Sequence, residues 1–392
     1  LSSADFAMSK IATYGDRGRN LRKLIDYFCH LAVAPHAYDD IKLNDTEFAA
    51  SGHLQSIAWL KDDSEDLYDP SYGDVIRVAG LVGFSRGKAS SIVSELSGRD
   101  PDTRKVDESR IPAAYDRLEG ALDALVKKYN FDNFLMTIKS AGFISPNMIG
   151  SKNALNFTYA LYLRLRTQGD LAEGERKRIV RRWFVMSMLT GRHSGSFEST
   201  WEQDVRRIST LSAAAYLKQI EESELTDGFW QVALPAALET TSTTSPYFQT
   251  FLAAQVSSGA RGFLSKRITV GAMHQQSGDI HHIVPTDYLQ KNGYPDRADY
   301  NQVANYALTE TSINISVSNK PPTTYMSELG EQIATGVLRL GEITDADDLA
   351  RNLAENAVPA DLGEVSAATY PEFLARRRKL MAEVIRRHYD SL

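Results

Sequence analysis

The sequence is poor in the features that mark secreted, zinc-binding and membrane proteins. Its 392 residues include a single cysteine, Cys29, so neither an intramolecular disulfide framework nor a zinc site of several cysteines is available. No stretch approaches the roughly 20 consecutive apolar residues of a transmembrane helix. Residues 1–15 also lack the charged start and apolar block of a signal peptide. We therefore expect a cytoplasmic protein without a membrane partner.

The sequence also lacks an excess of positive charge. The formal net charge is -6, with 24% of residues charged and 43% hydrophobic, which excludes a protein that coats nucleic acid by bulk charge. Arginine is nevertheless concentrated between residues 164 and 207 and again after residue 375. These stretches are either solvated helix faces or a local track for DNA. The candidate DNA contacts are Arg178, Arg181, Arg182, Arg192, Arg376 and Arg377.

Helical periodicity dominates the chain and predicts a mainly α fold. Apolar residues recur at three- and four-residue spacing in residues 18–35, where Pro35 closes the predicted helix, and again in residues 113–129. A last helix is predicted to begin at Pro371, because proline suits a first helical turn. Residues 268–320 are instead rich in Gly, Asn, Thr and Pro, so we expect this segment to pack on the surrounding helices.

One short motif suggests a distant alternative function. Residues 83–87, Gly-Phe-Ser-Arg-Gly, match the G-x-S-x-G pattern of a hydrolase nucleophile elbow, with Ser85 as the nucleophile. Such an elbow follows a strand of a doubly wound sheet, and the chain lacks the alternating strand and helix pattern that builds one. A turn between two helices is therefore the better interpretation, and a serine hydrolase is the weaker one.

The residues best suited to catalysis lie between 279 and 320. Residues 279–285, Asp-Ile-His-His-Ile-Val-Pro, place two histidines among β-branched residues, which favours a strand with the imidazoles on opposite faces. Phosphodiester hydrolysis needs a base for the attacking water and a cation at the departing oxygen. His282 is the candidate base, and His281 and Asn314 are candidate ligands of Mg²⁺ or Mn²⁺. Taken singly, such histidines are more often satisfied by hydrogen bonds, and such asparagines more often form turns.

Taken together, the spacing resembles a known nuclease motif. Residues 279–285 are followed by Asn-Tyr-Ala-Leu at 305–308, Ser-Ile-Asn at 312–314 and Ser-Asn-Lys at 318–320. This order is similar to the HNH, or ββα-metal, nuclease signature. It most resembles the version in the C-terminal half of GmrSD-type, modification-dependent type IV restriction endonucleases and related phosphorothioate-sensing and phage-defence nucleases. Helical stretches at 154–166, 181–208 and 372–385 also look like that family.

The resemblance implies a role for each matching residue. His282 corresponds to the general base, and Asn305 to the asparagine that braces the loop so that the base faces the water. Asn314 corresponds to the last position of the motif, which completes the metal site. His281 stands where the family usually has a metal-binding aspartate, and this departure leaves the metal preference open.

Two residues at the ends of the motif are predicted to support it. Asp279 is either a further metal ligand or a partner that orients His281. Lys320 is predicted to help neutralise a phosphate.

The resemblance also implies an organisation of the chain. Residues 1–110 would hold the end of a nucleotidase-like half plus linker helices, and residues 111–265 a central helical region. Residues 266–330 would form the ββα-metal motif, and residues 331–392 would pack helices on it. Family members carry an N-terminal domain similar to ParB-type nucleotidases with a D-G-Q-x-R type motif, which this sequence lacks. We therefore expect the sensor to be a domain or subunit outside this chain.

The predicted function is that of a divalent-metal-dependent DNA endonuclease or nickase of a modification-dependent restriction system, acting on modified or foreign DNA. Cleavage of both strands by a one-metal site usually needs two copies, so a homodimer is a candidate assembly. The alternative from another class is a DNA-binding or interaction module that keeps the HNH-like fold without catalysis. The histidine at position 281 is the feature that supports this alternative.

Overall fold

A computed structural model describes residues 2–100, 102–276 and 279–392, without the side chain of Asp279. The predicted mainly α fold is confirmed, with 70% of residues in helices and 3% in strands. The chain divides into two compact units, the first formed by residues up to Lys139 and Ser151–Ile220, the second by Ser140–Gly150 and Glu221–Leu392. No helix in the described ranges is long and apolar enough to cross a bilayer.

The first unit is helical. Its α-helices, of which the ninth and thirteenth continue past its boundaries, are α1 (Ser3–Ala12), α2 (Gly15–Val33), α3 (Tyr38–Asn44), α4 (Thr46–Ala50), α5 (His53–Ser56), α6 (Tyr72–Phe84), α7 (Ala89–Leu96), α8 (Ile111–Val126), α9 (Lys128–Ser140), α10 (Lys152–Gln168), α11 (Glu173–Thr190), α12 (Phe197–Leu211) and α13 (Ala213–Glu224).

Periodicity predicted helices at residues 18–35 and 113–129 of this unit, and local backbone geometry set their ends. In α2 the apolar stripe that includes Leu24 and Phe28 is fully buried, which confirms the helix predicted over residues 18–35. The block at 113–129 is two helices, because Lys127 is extended (φ -67°, ψ 116°) between α8 and α9. The predicted boundary at residue 110 falls inside the first unit, since α8 packs against α6 there.

The turn around Ser85 provides no nucleophile elbow. The residues before it form α6 rather than a strand, and Ser85 ends that helix in a left-handed conformation with φ 54°. Its hydroxyl accepts a hydrogen bond of 2.8 Å from the guanidinium of Arg164. The helix-to-helix turn is therefore confirmed, and the context that a serine hydrolase requires is not present around Ser85.

The second unit carries the two strands of the described chain. Its elements are α14 (Leu234–Ala237), α15 (Pro246–Ser258), α16 (Val270–Gln275), β1 (Asp279–His282), α17 (Thr286–Lys291), α18 (Arg297–Tyr300), β2 (Tyr306–Thr309), α19 (Thr311–Val317), α20 (Pro322–Thr335), α21 (Ala346–Glu355) and α22 (Tyr370–Ser391). A π-helical turn spans Phe229–Ala233, and a 3-10 turn at Val303–Asn305 leads into β2.

The strands form a small antiparallel sheet that α19 follows directly. Asp279 pairs with Thr309, and His282 at the other end pairs with Tyr306. One residue, Glu310, separates β2 from α19. The predicted boundary at residue 265 lies within this unit. The helix α15 precedes that boundary and packs on α22, which follows it.

Arg377 of α22 anchors the start of β2. Its side chain is fully buried, and its guanidinium donates to the carbonyl oxygens of Tyr306 at 2.7 Å and Asn356 at 3.1 Å. Burial lowers the pKa of Arg377 to about 9. The predicted DNA contact at Arg377 is therefore wrong, because a guanidinium enclosed by backbone carbonyls cannot reach a phosphate.

His388, on the last turns of α22, predicts acid sensitivity of the second unit. Burial lowers its pKa from 6.5 to about 4, against the opposing hydrogen bond with the backbone of Ala141. The unfolded chain therefore binds a proton that the folded chain does not, and stability falls as the pH drops from 6.5 to 4. In His388→Gln, the slope of the unfolding free energy against pH should decrease in this window by about the contribution of one bound proton.

Urea unfolding monitored by circular dichroism at several pH values measures this slope. His36→Gln, at an exposed position of the first unit, is the matched control and should leave it unchanged. A slope in His388→Gln equal to that of the parent protein would contradict the assignment.

Candidate functional site

The two histidines of β1 lie on opposite faces of the sheet. Side chains alternate along a strand, and directly paired residues share a face. The register places His282 beside Tyr306 and Ile280 beside Leu308 on one face, whereas His281 is paired with Ala307 on the other. The predicted strand with divergent imidazoles is therefore present.

His281 contacts the second predicted metal ligand. Its ring is 3% exposed and stacks on Phe263, with ring centroids 5.9 Å apart. The Nδ1 atom lies 2.7 Å from Oδ1 of Asn314, which α19 brings back to β1. Burial lowers the pKa of His281 to about 4, a shift that the hydrogen bond to Asn314 opposes. The imidazole is therefore neutral near pH 7, as a metal ligand must be.

The hydrogen bond fixes the tautomer of His281. An amide oxygen only accepts hydrogen bonds, so the proton lies on Nδ1 of His281. Within the described residues, the buried Nε2 atom has no partner. Metal binding through Nδ1 requires the other tautomer, with the proton on Nε2.

The pair has a spacing that suits a divalent ion. Adjacent ligands of an octahedral ion with bonds of about 2.1 Å are about 3 Å apart, close to the 2.7 Å between Nδ1 of His281 and Oδ1 of Asn314. Among the residues that the structure describes, no group of three or more His, Cys, Asp or Glu side chains is placed to hold a metal. The described donors, one imidazole and one amide, suit Mn²⁺ better than Mg²⁺, because Mg²⁺ relies on carboxylates.

His282 is held by a partner that the sequence did not reveal. Its Nε2 atom donates to Oδ1 of Asn301 at 2.9 Å, and its ring meets that of Tyr306 edge-on at 5.1 Å. The proton on Nε2 leaves the lone pair of Nδ1 to accept another proton. Burial lowers the pKa of His282, against the opposing hydrogen bond with Asn301. Both features suit a neutral general base.

Asn305 joins the end of β1 to the start of β2. Its fully buried amide accepts from the Val284 nitrogen at 2.9 Å and donates to the carbonyls of Val284 at 3.0 Å and Tyr300 at 3.1 Å. Its own carbonyl also accepts from the nitrogen of Ile283 at 2.8 Å. The side chain therefore ties three parts of the motif together, as expected of a bracing asparagine.

The two residues predicted to support the motif are Lys320 and Asp279. Lys320 forms an ion pair of 2.7 Å with Glu328, and this salt bridge does not test its predicted contact with a phosphate. The predicted role of Asp279 concerns a side chain that lies outside the described part of the chain.

The arginines predicted to contact DNA do not share one environment. Arg178 is exposed, and Arg376 is exposed but bound through both terminal nitrogens to Asp361. Arg192 is largely buried and donates to Asp204, so its predicted DNA contact is wrong. Arg181 and Arg182 are both half-buried, and both have interactions of their own.

Comparison of the chain with models of known protein families, with curated proteins and with solved structures finds no match. The resemblance to HNH nucleases therefore remains a prediction, which rests on the residues of the motif and on the contacts that they make.

Substitution of Asn305 should reveal how much the brace contributes to stability. Asn305→Ala leaves a buried backbone nitrogen and two buried carbonyl oxygens without their partner. We expect a loss of about 3 kcal/mol in the free energy of unfolding, measured by urea denaturation. Asn292→Ala, at an exposed position in the same unit, should change it by less than about 0.5 kcal/mol. Equal effects of the two substitutions would contradict the bracing role.

Proposed function

We propose that the second unit is a divalent-metal-dependent DNA endonuclease or nickase of the HNH type. The observation that supports this most directly is the approach of His281 to Asn314. They are 33 positions apart in sequence, yet the predicted ligand atoms lie 2.7 Å from each other. Both the residue chemistry and the resemblance assigned the two residues to one metal site, and their meeting in space supports that assignment.

The order of the elements supports the same proposal. β1 contributes the candidate base and the first ligand, β2 pairs with β1, and α19 contributes the second ligand. This is the order of the ββα-metal motif that the spacing resembles. Asn305, buried between the strands, has the contacts that the bracing position of the motif needs.

The residues on the other face of the sheet are suited to activating water. Asn301 holds the proton of His282 on Nε2, so Nδ1 is the atom that takes a proton from water. Because burial keeps the ring neutral near pH 7, this lone pair is available without a prior deprotonation. His281 and Asn314 would hold the divalent ion, which when bound stabilises negative charge on the departing oxygen.

The cofactor and partners of the proposed enzyme follow from the donors and from the resemblance. We propose Mn²⁺ ahead of Mg²⁺, because the described donors are a nitrogen and a neutral amide oxygen. Modified or foreign DNA is the proposed substrate, in a restriction or phage-defence system. A nucleotidase-like sensor is the proposed partner, and a dimer would cut both strands.

One observation favours the non-catalytic alternative. Nδ1 of His281 and Oδ1 of Asn314 satisfy each other by a hydrogen bond, so these two atoms have partners without an ion. A module that only binds DNA would need nothing more from these residues. The alternative predicts no divalent-ion binding that depends on Asn314.

Cleavage of supercoiled plasmid tests the catalytic proposal. With Mn²⁺, and more slowly with Mg²⁺, the protein should convert supercoiled plasmid into nicked or linear DNA on an agarose gel. His282→Ala should lower the rate by about 100-fold or more, because the base that deprotonates water is removed. His36→Ala, on an exposed residue of the first unit, is the matched control and should cut at the parent rate.

Two results would contradict the proposal. Plasmid that stays intact with Mn²⁺ and with Mg²⁺, both alone and after a nucleotidase-like partner is added, would contradict the proposed activity. Equal cutting by the parent protein and His282→Ala would remove His282 from the mechanism.

A further inference from the structure

The face of the sheet that carries His282 also borders a cavity. The cavity has a volume of about 270 Å³. Its apolar walls are Phe248, Phe251, Leu252, Ile280, Tyr306 and Leu308. Tyr306 contributes to the wall and also meets the ring of His282 edge-on, so the cavity begins one side chain away from the candidate base. We call this space the Phe248 cavity.

The walls of the Phe248 cavity suit a planar ring. Phe248 lies between Phe251 and Tyr306, with its ring centroid 6.4 Å from each of theirs. Aromatic side chains contact flat heterocycles well by stacking or edge-on packing. The volume is just below the roughly 300–1,000 Å³ of pockets for drug-sized ligands, so it suits a single heterocycle or nucleoside.

One wall residue, Gln249, carries a buried polar atom that has no partner among the described residues. Gln249 is 5% exposed, and its Nε2 atom donates to the carbonyl oxygen of Thr243. That contact fixes the amide, and in the described chain Oε1 accepts no hydrogen bond. A buried acceptor without a donor costs stability, and because Gln249 lines the cavity, a ligand that supplies an N–H group would remove that cost once the amide turns toward it.

The described wall of the cavity carries no charge that would attract a phosphate. Among its lining residues in the described chain there is no Asp, Glu, Lys or Arg. His274 is a wall residue whose side chain titrates. Burial lowers its pKa, and its Nε2 atom lies 2.8 Å from the hydroxyl oxygen of Ser145. Its ring is therefore neutral near pH 7. A neutral base fits this environment, whereas a phosphate group does not.

The entrance is open to a chain that lies outside. Asn147 and Thr244 are exposed at the rim, and Ile280 of β1 is 48% exposed. A strand of nucleic acid that passes His282 on this face of the sheet would also pass the rim. A base turned out of its stack would then enter the cavity and contact the rings of Phe248 and Tyr306.

We propose that the Phe248 cavity binds one unstacked nucleobase of the DNA strand, with an N–H group of the base donating to Oε1 of Gln249. The inference rests on the proposed nuclease function, because that function places DNA on this face of the sheet. Enzymes that turn out a base hold it in the same way, with apolar or aromatic walls and a few hydrogen bonds to the base edge. Single-stranded or mismatched DNA should therefore bind best, since unstacking then costs least.

Nucleoside binding tests the cavity without relying on cleavage. We would titrate the protein in EDTA into 2-aminopurine deoxyriboside and follow the fluorescence, then compete with deoxyadenosine and with purine deoxyriboside, which lacks the exocyclic amine. Deoxyadenosine should compete about five-fold better than the amine-free analogue. Gln249→Met should abolish that difference, because it removes the acceptor and keeps a side chain of similar size.

Two further variants make the test specific. Thr244→Trp, at the exposed rim, should block binding of every nucleoside without disturbing the core. Gln302→Met is the matched control, because it removes another buried amide oxygen without a partner, outside the cavity wall. It should bind as the parent does. Circular dichroism of each variant should match that of the parent.

The outcomes separate this inference from the nuclease proposal. Absent nucleoside binding, or binding that neither Gln249→Met nor Thr244→Trp changes, would overturn the cavity assignment even if plasmid is cut. Binding that both variants weaken, in a protein that cuts no plasmid, would keep the cavity as a nucleobase site and overturn the nuclease proposal.

Discussion

The buried amide of Asn305 is the constraint on which the candidate site depends. Two strands of four residues form a weak sheet by themselves, since so small a sheet buries little surface. The side chain of Asn305 forms hydrogen bonds with the backbone nitrogen and the carbonyl oxygen of Val284, and Arg377 donates one to the carbonyl oxygen of Tyr306. These side chains hold β1 and β2 at the end of the sheet where His282 lies.

The sheet separates two kinds of chemistry. On one face, Phe263 and Asn314 enclose His281 in a buried setting suited to an ion held by neutral donors. On the other, Asn301 orients His282 beside Tyr306 and the apolar Phe248 cavity. A substrate of the proposed nuclease would have to contact both faces at the end of β1, where His282 is half-buried. The acidic total charge has little bearing on this local geometry.

Local patterns predicted the helices and the central residues of the motif, but not their surroundings. The mainly α fold, α2 and the start of α22 followed from periodicity and from Pro371. Asn301 was missed because its role depends on a loop conformation that brings it to His282, with no sequence signal to mark it. Arg377 was misassigned because a helical arginine gives no sign that backbone carbonyls enclose it. Gln249 and its cavity arise from tertiary packing alone.

We propose that His281 and Asn314 hold a divalent ion, and anomalous diffraction from crystals of the protein soaked in Mn²⁺ would locate that ion. We expect an anomalous peak within about 2.3 Å of both Nδ1 of His281 and Oδ1 of Asn314, lost in crystals of Asn314→Ala. Crystals that show the hydrogen bond between these side chains intact in Mn²⁺, with no peak beside them, would rule out this metal site.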